Sequence, residues 1–291
     1  MFTFLGTSAG EQYPGVWCDC QNCHGARHLG GVNRRRNSCA ILADHTLIDF
    51  GPAIPIQLDE RGFSLLKVDT LLVTHSHQDH FFPWYLRWRY YPRGIANPPE
   101  GHEMGPVFTK PLPLTIYGNS RVRELTWDAI KGDPQNHHLD FVLLRPWESV
   151  VTRHLVCTPI KANHDPREEC FNFILEYQGK TILYATDTAA FLPQTKEFLT
   201  DYRFDLVVME GTLGFNQKYD ASVSGHSNFH LNRETREWML SSNMLAEKAP
   251  FVITHTGPHF APPHEECAPL LAKWQLTLAH DGMTVHLQKQ V

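Results

Sequence analysis

Short apolar runs rich in β-branched residues recur along the chain at 2–5, 39–42, 46–50, 70–74, 114–117, 141–144, 171–177, 181–185, 206–209 and 251–254. Their length and composition predict strands. Helix-like stretches lie between some of them, at 121–130, 194–202, 229–247 and 265–280, several opened by Ser, Asn or Pro. The order predicts an α/β chain that begins with antiparallel hairpins and then intersperses helices. Residues 8–37 and 92–113 break the pattern and predict long loops, the second rich in Pro and Gly. No internal repeat, low-complexity tract or linker divides the sequence, which predicts one domain over residues 1–291.

With 42% hydrophobic and 20% charged residues in 291, the chain is suited to burying a core rather than to remaining disordered. A net charge of −5 argues against a protein that wraps a nucleic-acid backbone and favours a small substrate. No apolar run reaches membrane-spanning length, and the N-terminal residues lack the basic and apolar regions of a signal peptide. The expectation is a cytoplasmic protein. Seven cysteines, three of them in Cys18-Asp19-Cys20-Gln21-Asn22-Cys23, suit thiolate metal ligation better than a disulfide framework. The eighteen histidines are the larger excess, and many sit beside Asp in apolar surroundings.

The sharpest motif is His75-Ser76-His77-Gln78-Asp79-His80, directly after an apolar strand. A turn leaving a strand end can splay alternate side chains around a cavity, so His75 and His77 could face one ion while Asp79 and His80 face a neighbour. A solvated His-rich loop is the bland alternative. It does not account for His164, Asp187 and His255, each of which also follows an apolar segment. One His at a strand end is ordinarily structural; three in series with His75 to His80 point to convergence on one rim.

These residues resemble the metallo-β-lactamase-fold hydrolases, whose His-x-His-x-Asp-His motif is matched by His75, His77, Asp79 and His80, with His164, Asp187 and His255 following in the family's order. Asp49, in Leu47-Ile48-Asp49-Phe50-Gly51, matches the strand-ending Asp that supports such a site from behind. The resemblance implies a four-layer αβ/βα sandwich, with His75, His77 and His164 on one ion, Asp79, His80 and His255 on a second, and Asp187 bridging. Two divalent ions so placed hold a nucleophilic hydroxide at neutral pH. The mixed imidazole and carboxylate set suits Zn, Mn or Fe.

Cys18, Cys20 and Cys23 offer three thiolates where a structural zinc needs four ligands. Together with Leu5-Gly6-Thr7-Ser8-Ala9-Gly10 and Arg34-Arg35-Arg36-Asn37-Ser38, the cluster resembles the N-terminal region of the PhnP-type phosphodiesterases. That resemblance implies that a His shortly after the last active-site His completes the zinc: His259, with His264 and Cys267 as alternatives. Three thiols without a metal is the competing possibility. Pyrroloquinoline quinone biosynthesis B proteins share a similar Cys-rich start but depart from the full His-x-His-x-Asp-His motif kept here.

Relatives of the PhnP type also suggest His226, in Gly225-His226-Ser227-Asn228, as general acid for a leaving oxygen; the alternative is an exposed neighbour of a helix cap. Trp84, Tyr85, Arg87, Trp88, Arg89, Tyr90, Tyr91 and Arg93 could stack a base and bind phosphate, or pack into the core as an amphipathic helix. Arg34 to Arg36 could face phosphate, or be solvated or anchor the loop. The function this implies is hydrolysis of a small cyclic or nucleotide-like phosphodiester, with Asp79 and Asp187 orienting the nucleophile and His226 protonating the leaving group. The alternatives are an RNA-processing nuclease like the tRNA 3′-end enzymes, a lactonase or thiolesterase, and a non-catalytic metal- or ligand-binding protein. Relatives imply a possible homodimer.

Overall fold

The computed structural model describes residues 1–91, 110–221, 223–245 and 248–287. Within these, β1 (Phe2–Gly6), β2 (Cys39–Leu42), β3 (Thr46–Ile48), β4 (Thr70–Leu72), β5 (Leu114–Gly118) and β6 (Leu139–Leu143) form one sheet. The other contains β7 (Val150–Val151), β8 (Val156–Lys161), β9 (Phe171–Tyr177), β10 (Lys180–Ala185), β11 (Leu206–Glu210), β12 (Phe251–Thr254) and β13 (Thr277–Leu278), while β14 (Thr284–Val285) returns to the edge of the first. Strands β1 to β3 and β8 to β10 are antiparallel neighbours; β3 to β6 and β10 to β13 run parallel.

Side-chain alternation turns this connectivity into layers. In β11, Leu206 and Val208 enter the core between the sheets, whereas Val207 and Met209 enter the core outside the second sheet. In β2, Ala40 and Leu42 face inward while Cys39 and Ile41 face the outer core of the first sheet. Strands covered on both faces read as unbroken apolar runs, which is why the sequence announced them so clearly. The outer core of the first sheet takes residues from α2 (Ile54–Asp59) and α3 (Ser120–Ala129). That of the second takes residues from α5 (Pro193–Leu199), α6 (Phe229–Ser241) and α7 (His264–Ala272). The three cores between four layers make the expected αβ/βα sandwich.

The expected helices over 229–247 and 265–280 are shorter in the fold. α6 ends at Ser241 and Asn243 takes a left-handed turn (φ 57°); α7 ends at Ala272, Gln275 turns likewise (φ 56°), and β13 follows. Glu247 lies outside the described residues, as do Arg93 and most of the expected 92–113 loop. The expected loop at 8–37 contains α1 (Gln21–Leu29), and α4 (Pro134–His137) is a single turn. Strand β8 carries Pro159 in its middle, which argues against a strand when only the sequence is read.

Candidate metal centre

The ends of β4, β10, β11 and β12 meet at one rim, where His75 to His80, Asp187 and His255 follow their strands and Glu210 ends β11. Carboxyl ends of parallel strands are where such sheets open crevices. Asp49, Asp187 and His255 each take a left-handed backbone conformation just beyond a strand (φ 65°, 49° and 49°). Non-glycine residues adopt it at a cost, and at all three it accompanies an abrupt turn that leaves the side chain on the rim.

All seven expected ligands are gathered here. Donor atoms of His75, His77 and His164 lie within 4.8 Å of one another, as do those of Asp79, His80 and His255. Asp187 lies between the two sets, with Oδ2 2.6 Å from His80 Nε2 and 3.1 Å from His255 Nε2, and Oδ1 3.8 Å from His164 Nε2.

Hydrogen bonds on the far side of each imidazole decide which nitrogen is left facing inward. Thr74 donates its hydroxyl to Asp49, so it accepts from His75 Nδ1 at 3.0 Å. Thr212 donates to the His255 carbonyl and accepts from His255 Nδ1 at 2.9 Å. His164 Nδ1 donates to the Gly225 carbonyl (2.9 Å), His77 Nε2 meets Asp165 (3.1 Å) and His80 Nδ1 meets Asp49 (2.7 Å). Turned inward are His75 Nε2, buried and without a hydrogen-bond partner among the described residues, and the His164 Nε2 to His77 Nδ1 pair at 3.2 Å. In neutral rings these are lone pairs with no proton to share, an arrangement a cation resolves. Burial, with His80 nearby, holds His75 well below its usual pKa, which keeps its ring neutral and ligand-ready. The buried His/Asp cluster therefore fits a dinuclear metal site.

Asp49 is fully buried, accepting from the Thr74 amide and hydroxyl (both 2.9 Å) as well as His80. His226 lies beside the cluster: its Nδ1 is 2.9 Å from Glu210 Oε1 and 3.4 Å from Asp187 Oδ1, so it is more than an exposed neighbour of a cap. Burial alone lowers its pKa, but the Glu210 carboxylate, supported by Asp187, lifts it to about 9. Glu210 is in turn fixed by amides of Thr188 (3.0 Å) and Thr212 (2.9 Å).

The sequence analysis missed Glu210, Asp165 and Glu168, which accepts from the Ser76 amide and hydroxyl and from Asn119. Glu210 ends an apolar strand as Asp187 does, so the rule that found one finds the other. Thr74 and Thr212 left no signal in sequence.

Cys18, Cys20 and His259 also come together, with Cys18 Sγ 3.4 Å from His259 Nδ1 and all three donor atoms within 4.8 Å. Against burial, the Cys23 amide and the His259 side chain pull the Cys20 thiol down to about 6; burial pushes Cys23, which accepts from the Gly15 amide at 3.3 Å, up to about 12. His264 lies instead beside Arg35 (3.5 Å), and Cys267 sits in the outer apolar core.

Among the aromatic run, Leu86 and Tyr85 pack on the first sheet's outer core while Trp84 and Trp88 are exposed. Arg35 is buried, donating to Thr256 at 2.7 Å and stacking over Tyr13, and Arg36 pairs with Glu60 at 2.7 Å; both act as loop anchors.

The family described as "Beta-lactamase superfamily domain" matches residues 103–255, just over half of the chain. No curated protein matches it. Among solved structures it is similar to a diphosphatase of the PhnP family, at 20% identity and TM-score 0.70 over 97% of this chain and 94% of the other. It is also similar to zinc-bound PqqB from Methylobacterium extorquens, at 18% and 0.68 over 98% and 99%. Human short-form tRNase Z is similar at 19% and 0.65 over 99% of each chain. Among the described residues, no helix is long and apolar enough to cross a membrane.

Proposed function

Because this chain belongs to the β-lactamase superfamily, we propose that its rim cluster makes it a metal-dependent phosphodiesterase acting on a small cyclic or nucleotide-like diester. The observation that carries the reading is the set of inward-facing imidazole nitrogens, with His75 Nε2 unpartnered, beside a His226 whose Nδ1 is held by a carboxylate. His75, His77 and His164 would hold one divalent ion and Asp79, His80 and His255 another, with Asp187 shared. When bound, the pair supplies activated water at neutral pH and neutralises charge on the attacked group.

The chain's own residues do the rest. Asp79, its side chain 15% exposed against 4% for Asp187, is the more open of the two central carboxylates and orients the attacking water as a hydrogen-bond acceptor. Glu210 fixes the His226 ring through Nδ1 and leaves Nε2 to donate a proton to the departing oxygen. A group that is protonated at neutral pH suits an alkoxide, a poor leaving group that gains most from general acid catalysis. Two structures sharing the fold are, by name, a diphosphatase and a tRNase, which favours a phosphate ester over a lactone or thiolester. Cys18, Cys20, Cys23 and His259 would hold a structural zinc that ties the N-terminal loop to the segment after β12.

Elemental analysis of the purified chain paired with bis(p-nitrophenyl) phosphate hydrolysis tests the proposal. The expected result is about three metals per chain and turnover that a chelator abolishes and Mn²⁺ or Zn²⁺ restores. One tightly held zinc and no turnover on any diester, cyclic or linear, overturns it.

A further inference from the structure

A cavity of about 520 Å³ opens at the other end of the second sheet, where β10, β11 and β12 begin. Four cationic or titratable side chains from four separate segments line it: Lys180 at the start of β10, Arg203 before β11, Lys248 before β12 and His286 after β14. Among the described residues, Asp205 is the one carboxylate in its wall, and both its oxygens are taken, one by Lys180 Nζ at 2.7 Å and the other by the Thr181 amide at 2.9 Å. Among the described residues, neither Arg203 nor Lys248 has a carboxylate within ion-pair distance. In a chain of net charge −5, this concentration of positive charge comes from the fold and not from composition. Ala249, Pro250, Val285 and Leu287 give the same cavity an apolar side.

We propose that this cavity is a second ligand site, distinct from the metal cluster, which takes a small phosphorylated molecule with an apolar body such as a nucleoside monophosphate. Arg203 and Lys248 hold the phosphate: two cations with no carboxylate partner among the described residues match a dianionic group, and a planar guanidinium can bind it with two hydrogen bonds. Lys180 is committed to Asp205 and shapes the wall. The volume lies in the range of small-molecule sites, and an apolar flank beside a few placed charges is what such sites present. A strand of about six residues separates it from the rim, roughly 20 Å, so its ligand cannot touch the metal cluster.

Calorimetric titration of the full chain with inorganic phosphate and with AMP tests this, using the native chain, the Arg203→Ala/Lys248→Ala double variant and the rim variant Asp187→Asn. Both substituted cations are exposed, so the double variant is expected to fold and to keep native diester hydrolysis. Binding of both probes, AMP the tighter, should persist in Asp187→Asn and weaken about tenfold or more in the double variant. Binding that is unchanged in the double variant overturns the site. So does binding lost in Asp187→Asn, which places the phosphate at the rim, or heat reproduced by sodium chloride at equal ionic strength, which reduces the effect to screening. No heat from either probe at millimolar concentration overturns it as well.

Discussion

Nε2 of His80 lies 3.1 Å from Nε2 of His255, while the opposite nitrogens of the two rings are committed to Asp49 and Thr212. Without a metal, one proton has to sit between these rings. Burial opposes charge on His80, but Asp187, Asp79 and Asp49 together drive its pKa well above the usual value, so His80 carries that proton. A divalent ion displaces it. Metal binding is therefore expected to release protons and to weaken as pH falls, because protons and metal compete for the same nitrogen. Calorimetry in buffers of different ionisation enthalpy counts the protons. Chelation should also lower the unfolding temperature by several degrees, reversed by Zn²⁺ or Mn²⁺, since a ligand that binds only the folded chain stabilises it. A midpoint that ignores chelator would mean the rim holds no tightly bound ion.

His226→Ala should reduce turnover by about 10² to 10⁴ on alkyl diesters. The loss should be far smaller on p-nitrophenyl esters, whose leaving group needs no proton, and metal content should not change. Glu210→Gln separates positioning from acid chemistry. The Glu210 carboxylate raises the His226 pKa, so activity should fall on the basic side as His226 loses its proton. Removing the Glu210 charge lowers the pKa and moves that basic limb toward neutrality. A limb that stays in place in Glu210→Gln would assign the titration to another group.

Much of this site was legible in sequence because several of its ligands obey one rule, a polar residue placed shortly after an apolar strand. His75, Asp187 and His255 follow β4, β10 and β12 in that way, and the strands are conspicuous because both faces are buried. The supports are less legible. Thr74 and Thr212 are ordinary polar residues until the fold turns their hydroxyls to His75 and His255. The family resemblance left His259 as one candidate among three; three-dimensional proximity to Cys18 and Cys20 separates it from His264 and Cys267. Helix ends at Ser241 and Ala272 are accompanied by left-handed turns at Asn243, a residue type that tolerates that conformation, and at Gln275, whose type gives no warning.

Asp165 is held well below the usual carboxylate range by Arg167, and it contacts His77 Nε2 at 3.1 Å. The negative charge fixes the His77 tautomer and makes its inward Nδ1 a better donor. Asp165→Ala is expected to weaken metal binding about 10- to 100-fold, the usual cost of losing such a partner. The effect should fall on the ion held by His75, His77 and His164. Titration against a competing chelator reads this directly, and equal affinity in the variant would leave Asp165 with only its surface pair to Arg167.

Cys20→Ser and His259→Ala should each remove one zinc per chain while the rim metals remain. His264→Ala and Cys267→Ser should keep it. Because the cluster closes a loop of more than two hundred residues, its loss is expected to lower the unfolding midpoint more than activity. Identical metal counts in all four variants would leave Cys18, Cys20 and Cys23 as thiols without an ion.

Asp281 gives the fold a pH dependence of its own. Its carboxyl accepts from the Arg36 amide and the Thr7 hydroxyl, both at 2.8 Å, yet burial pushes its pKa up to about 6 from an ordinary 3.8. The folded chain then binds this proton more tightly than the unfolded chain does. Between those two values the folded state holds more protons, so stability falls as pH rises and levels off above pH 6. At about 1.4 kcal/mol per unit the whole effect is at most about 3 kcal/mol. Asp281→Asn keeps an acceptor for Arg36 and can meet Thr7 through its amide, but it carries no charge to desolvate. Denaturant unfolding from pH 4 to 8 should lose this downward component in the variant, which should be the more stable chain at pH 8. An unaltered slope would place the ionised Asp281 in better-solvated surroundings than its burial implies.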